Sequence, residues 1–314
     1  MILGAHVEKQ ICHENLRLAV IEPLELALGI TEEAPHDPRL SPPQYILQEA
    51  ATSAHPGPFS DFCKQRFLWY LEMYKRAVQE GIEKEKARHR GRFPTMPFES
   101  PSNGMLGRWD YLDLQTRLGR VERWIMKETL EWPERGKEMA THKFELAMSL
   151  RAQHEQISSQ LKRRSEAMID LTMVDDNPFL WLLTYIGRPM TQYDGGILKV
   201  KIYISPNHPV EQPRVFMETP LYHVRVSTEK ALIYLPARAE EMRDHIDGII
   251  DSLEEEKPPF NPLMTVNPDA TELCWGSKEQ QRQYSRKLRR TVTESVEYVG
   301  IDQHWPRSGS LTSC

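Results

Sequence analysis

Between residues 179 and 218, large apolar side chains alternate with polar ones, and turn residues interrupt the alternation. The stretch 179–186 alternates bulky β-formers and stops at Gly187-Arg188-Pro189. Asp194-Gly195-Gly196 predicts a tight reversal, because glycine supplies the positive φ that such a turn needs. Ile197, Val200, Ile202 and Ile204 predict a second strand that ends before Pro206. Pro209 and Pro213 bracket a stiff extended loop, and 215–218 predicts a short third strand. Together these segments read as three or four strands of one antiparallel meander.

Ahead of the meander the period changes from two to 3.6. Phe67, Leu71, Tyr74 and Val78 share one helical face and predict a helix over 60–86, with Ser60 or Asp61 as its cap. Leu114, Leu118, Val121 and Ile125 predict a second helix over 110–130, which Pro133 and Gly136 should break. A third helix is predicted over 137–168, its apolar side carrying Phe144, Met148, Ile157, Leu161 and Met168. Residues 7–30 have helical spacing in places, interrupted by Pro23, and 34–58 read as a linker rich in Pro, Ser, Ala and His. Residues 93–107 read as a connecting loop. After the meander, Met242, Ile246, Ile249, Ile250 and Leu253 predict a helix over 242–253. Asn267 should cap another helix with Pro268 at its first position, and 278–296 predicts the last one. The expected division is a helical N-terminal region with linkers (1–136), an α+β unit (137–298) and a flexible tail (299–314).

Composition narrows the function classes. A chain of 314 residues with 39% hydrophobic and 27% charged residues suits a soluble protein of about two domains. The net charge of −5 argues against a dedicated nucleic-acid binder. Cys12, Cys63, Cys274 and Cys314 are far apart without a C-x-x-C, which fits a reducing compartment, cytoplasm and/or nucleus. The start reads as no signal peptide, and no stretch is apolar enough to span a bilayer, so no membrane partner is expected. No H-E-x-x-H, P-loop or G-x-S-x-G occurs, and His142 and His154 have no histidine at i+4. No metal and no cofactor is therefore expected. Asp175-Asp176 reads as a turn or cap, and the basic end of 83–92 as a solvated helix terminus.

Four motifs fall in order within this region: Ile186-Gly187, Gln192-Tyr193-Asp194-Gly195-Gly196, His208-Pro209-Val210-Glu211-Gln212-Pro213 and Tyr222-His223-Val224-Arg225. In that order and register they resemble the core of the ubiquitin-conjugating-enzyme family. The resemblance implies an α+β fold: a four-stranded antiparallel meander with flanking helices, here preceded by an α-helical N-terminal region. It also implies where the family's chemistry would lie. The family's nucleophile is a cysteine ten residues after the motif histidine, and that column holds Ile233, followed by Tyr234. The family's oxyanion asparagine is Arg225 here, and its proline is Val224. His223 matches a histidine whose role in the family is chiefly structural. An acyl group cannot be accepted by transthiolation without a thiolate.

The resemblance therefore implies a non-catalytic variant that binds ubiquitin, a ubiquitin-like protein, or a conjugating enzyme or ligase. The family's ligase-docking loop corresponds to Pro209, Val210, Glu211 and Pro213. Lys162, Arg163 and Arg164 are the candidates for the basic helix face that docks the activating enzyme. Cys274 is expected to be buried and inert. Two alternatives stand beside this reading: an active conjugating enzyme with a displaced nucleophile, and an RWD-like scaffold module. The helices expected after residue 264 favour the first reading over the RWD-like one.

Overall fold

The alternating stretches form one antiparallel sheet. The computed structural model describes residues 13–30, 58–87, 110–141, 144–163, 168–255, 260–261 and 264–300. Strands β1 (Met168–Met173), β2 (Leu180–Ile186), β3 (Ile197–Tyr203) and β4 (Arg214–Met217) lie side by side in sequence order. The expected pairing of β2 with β3 is present, with Leu183 opposite Val200 and Tyr185 opposite Leu198. Because side chains alternate between faces, one face buries Trp181, Leu183, Tyr185, Leu198, Val200 and Ile202. Gly195 has φ +76° in the β2–β3 reversal, as its turn position requires.

Strand β1 corrects the expectation of a helix running to 168. Ile169 and Leu171 are buried while Asp170 and Thr172 are exposed, which is strand alternation. Met168 follows Leu161 by seven residues, a spacing that imitates two helical turns. The helix before it, α4 (Phe144–Leu161), is correspondingly shorter than expected. Its inward face is Ala147, Leu150, Ile157 and Leu161, whereas Phe144 and Met148 face solvent. His154 lies edge-on to Trp181, with ring centroids 5.1 Å apart.

After the sheet come α5 (Met242–Glu254), α6 (Pro268–Cys274) and α7 (Lys278–Gly300). All five apolar positions expected to point inward from α5 are buried. The Asn267 side chain accepts a hydrogen bond from the Ala270 amide, so the predicted cap of α6 is present.

The N-terminal helices form a layer of their own. A short helix over 13–27, α1, contains a π-helical stretch at Arg17–Ile21. Helices α2 (Pro58–Ala87) and α3 (Tyr111–Ala140) pack on each other through the predicted stripes. Arg117 of α3 grips Glu25 of α1 with two hydrogen bonds, 3.2 and 2.6 Å long. Pro133 and Gly136 do not break α3. Proline leaves the carbonyl four residues earlier, that of Thr129, without its helical donor, yet the helix runs on to Ala140, and Asn177 Nδ2 ties the Pro133 carbonyl to the sheet side at 3.1 Å. Gly136 lets the helix approach the sheet: a Cβ there would lie 2.4 Å from the Phe179 ring. Asp61 is no cap either, because α2 begins three residues earlier. Residues 31–57, 93–107 and 301–314, expected as linker, loop and tail, lie outside the described residues.

Candidate functional site

The columns that the resemblance singles out come together as a short β-bridged hairpin beside β4. The Ile233 amide donates to the Arg225 carbonyl at 2.9 Å, and Val226 bridges Leu232. His223, Val224, Ile233 and Tyr234 are all buried. The Arg225 amide donates to His223 Nδ1 at 3.2 Å, so this nitrogen carries no proton. Burial, and then the Arg225 charge, push the His223 pKa down to about 3. His223 is thus a neutral, hydrogen-bonded core residue. The Arg225 guanidinium pairs with Glu255 instead of facing an open oxyanion position.

Tyr234 belongs to a second buried group. His245 Nε2 lies 2.9 Å from the Ala239 carbonyl, and Nδ1 lies 2.9 Å from the Tyr234 hydroxyl. A carbonyl can only accept, so Nε2 holds the proton and the tyrosine donates to Nδ1. Burial raises the Tyr234 pKa, which keeps the phenol protonated. His208 stacks edge-on to His245 at 6.2 Å, and burial, then the nearness of a second titratable ring in His245, push its pKa down to about 4.

Helix α2 covers this hairpin, a feature that sequence reasoning missed. Trp69 packs with Ala231, Ile233 and Val266 in one buried cluster, and Ile233 is 1% exposed. One turn earlier on the same helix, Gln65 Nε2 donates to the Pro213 carbonyl at 3.2 Å. A further turn back, Asp61 accepts from the Gln212 amide at 2.8 Å. The signal was present as spacing: Asp61, Gln65 and Trp69 repeat at i, i+4, i+8, beside the apolar stripe. The attachment is completed by Arg214 of β4, 1% exposed. Its guanidinium bonds Asp61 at 3.0 Å and Glu128 at 3.2 Å and stacks 4.2 Å from the Trp132 ring. Lys64 joins Glu128 at 2.8 Å, so two cations and two carboxylates balance.

The two carboxylates respond differently to that shared cation. Burial outweighs Arg214 at Asp61 and raises its pKa. At Glu128 burial is opposed by Arg214 and Lys64 together, and the pKa is lowered.

The expected docking loop is only partly a surface. Pro209 and Val210 are exposed, Val210 by 55%. Glu211 and Pro213, expected beside them in the loop, are buried. Ser205 donates to the Glu211 carboxylate, and the Pro213 carbonyl is held by α2. Lys162 and Arg163 are exposed, but in the turn after α4 instead of on a helix face, and Arg164 lies outside the described residues.

Cys274 is half-buried rather than fully buried, and burial raises its pKa to about 11. Cys63 is exposed on α2. Cys12 and Cys314 lie outside the described residues. Among the described residues there is no cluster of His, Cys, Asp and Glu able to hold a metal. Nor is any of their helices long and apolar enough to cross a membrane. The hairpin therefore presents the aliphatic Ile233, the neutral imidazole of His223 and the protonated phenol of Tyr234.

Comparison with known proteins places this region. Residues 151–290 match the family described as ubiquitin-conjugating enzyme. Ubiquitin-conjugating enzyme E2 7 of Triticum aestivum is 26% identical over 168 residues, covering 49% of this chain and 98% of the wheat protein. A solved E2 domain of a Toxoplasma gondii ubiquitin-conjugating enzyme is 16% identical. It covers 46% of this chain and 97% of its own, with a TM-score of 0.37. The family match begins after α3, within α4.

Proposed function

The chain carries a ubiquitin-conjugating-enzyme core domain, a fold of the ubiquitin pathway, and from that premise we propose that it acts as a non-catalytic binding component. Its partner would be ubiquitin, a ubiquitin-like protein, or a conjugating enzyme or ligase. One observation carries this reading. The residue in the nucleophile column, Ile233, has no lone pair to offer and is sealed beneath Trp69. Two separate requirements of transthiolation, a thiolate and an open approach to it, are both missing at that position.

The displaced-nucleophile alternative has less support. Cys274 is held protonated by burial, since a thiol raised to about 11 is almost wholly neutral at pH 7. The RWD-like alternative does not account for α6 and α7, both of which pack on the sheet's core through Ala270, Tyr284, Leu288 and Val292.

The test is incubation with an activating enzyme, ATP and ubiquitin, with and without reductant. The proposal expects no reductant-sensitive adduct on this chain. An adduct abolished by Cys274→Ser would replace the proposal with an active, displaced nucleophile. An adduct lost with Cys12→Ser or Cys63→Ser would place the chemistry in the N-terminal region.

A further inference from the structure

Helix α7 has an inward face of Tyr284, Leu288, Val292 and Ser295, all buried. Its outward face is strongly basic. Residues 278–290 hold six cations and one carboxylate, in a chain whose net charge is −5. Lys278, Arg282 and Arg286 follow one another at i, i+4, i+8 and line a shallow groove with Gln281 and Ser285. Arg289 is exposed on the same side. Like charges at i, i+4 disfavour a helix by about 0.2–0.5 kcal/mol per pair. Cations in the first turns also oppose the helix dipole.

Neutralisation within the chain is sparse. Arg282 lies 3.7 Å from Glu279, and Arg290 pairs with Glu294 at 2.8 Å. Lys287 rests over the Tyr222 ring at 5.0 Å. Among the described residues, Lys278, Arg286 and Arg289 make no ion pair within 4.0 Å. A helix that concentrates cations against its own stability, without carboxylates to balance them, is matched to an anion from outside.

We infer that this face of α7 docks an extended acidic polypeptide segment. The spacing favours that occupant. Successive cations in the i, i+4 column are about 6 Å apart along the helix. Alternate side chains of an extended chain recur about every 6.6 Å, so carboxylates at every second position meet successive cations. Single-stranded nucleic acid is disfavoured because the face has no aromatic platform: Tyr284 is buried, and Tyr222 lies beneath Lys287. A lipid surface is disfavoured because the residues between the cations are Gln281, Gln283 and Ser285, with no apolar wedge.

The inference is tested by fluorescence anisotropy on the full chain. The probe is a labelled peptide alternating glutamate and serine, and its control alternates glutamine and serine. The acidic peptide should bind and the control should not. Binding should fade as ionic strength approaches about 1 M, where the screening length is about 3 Å. The combined variant Lys278→Glu, Arg282→Glu, Arg286→Glu should weaken binding by about tenfold or more, on the scale of three exposed ion pairs. Lys84→Glu, on exposed α2 surface, should leave it unchanged. Should the combined variant melt early, Arg286→Gln alone should still give a measurable loss. Equal binding of both peptides, or unchanged affinity in both variants, would overturn the inference. So would tighter binding of an oligonucleotide or of phosphatidylserine vesicles than of the acidic peptide. None of these outcomes depends on whether the chain forms a thioester.

Discussion

Arg214→Met removes the one cation that Asp61 and Glu128 share and leaves a side chain of similar length in its place. Arg214 is 1% exposed and Asp61 has 4% of its side chain exposed, so water cannot replace the lost partner. Breaking a buried ion pair from one side costs about 3–5 kcal/mol, because an uncompensated charge remains. For a unit of this size that corresponds to a fall of roughly 6–20 °C in melting temperature. Glu128 keeps Lys64 at 2.8 Å, so the penalty falls mainly on Asp61. Burial already raises the Asp61 pKa above that of the unfolded chain, and without Arg214 it must rise further. A carboxyl whose folded pKa is raised loses stability as pH rises through the window above its unfolded value near 3.8. The deficit of the variant should therefore be largest at neutral pH and shrink as pH falls toward about 4. Urea unfolding followed by tryptophan fluorescence and circular dichroism measures this directly, and Trp132 beneath the guanidinium reports locally. Adding Asp61→Asn to Arg214→Met should recover part of the loss. A deficit under about 1 kcal/mol at neutral pH, or a double variant no better than the single, would refute the reasoning.

Three further outcomes are expected. Gly195→Val should cost about 1–3 kcal/mol in a thermal melt, since a β-branched residue is strained at φ +76°, and equal melting would mean the turn tolerates it. His208 and His223 have folded pKa values near 4 and 3 against 6.5 unfolded, so their contribution is whole above about 6.5 and lost as pH falls through 4 and 3. The unfolding free energy from urea titrations should fall over that window, by up to roughly 3–5 kcal/mol per histidine, and a flat profile would contradict their burial as neutral rings. Ile233→Cys should remain uncharged by an activating enzyme, while Ile233→Cys with Trp69→Ala should let a thiol reagent react there, and prompt labelling of the single variant would show that α2 does not cover the column.

The meander was legible because it rests on local rules. Gly195 at a reversal, alternation from 197 to 204 and Asn267 before Pro268 each act within a few residues, and all three hold in the structure. The helices around it were less legible. Pro133 and Gly136 signalled a break, yet α3 continues to Ala140 because Asn177 and Phe179 of the core support that turn. Met168 fitted a helical period by coincidence, and only its pairing opposite Ile186 reveals a strand. The hold on Gln212 and Pro213 comes from α2, which lies about 150 residues earlier in the chain. Local propensity carries no information on such contacts.

On the proposed reading, the absent thiolate and the covering helix are two parts of one condition. An acceptor cysteine must meet a second protein's thioester, so its position has to remain open to solvent and to a large partner. Burying a tryptophan removes about 150–250 Å² of surface from water, worth roughly 4–6 kcal/mol. Trp69 gains that burial in one cluster with Ala231, Ile233 and Val266. An active site at this position would thus forgo the main apolar contact that seats α2 on the hairpin, while a silent one can keep it. The polar attachment points the same way. Asp61 and Gln65 take up the backbone of Gln212 and Pro213, at the far end of the loop whose Pro209 and Val210 stay exposed. The N-terminal helices therefore occupy the hairpin face from within the chain, and leave the tip of that loop and the basic face of α7 to partners from outside.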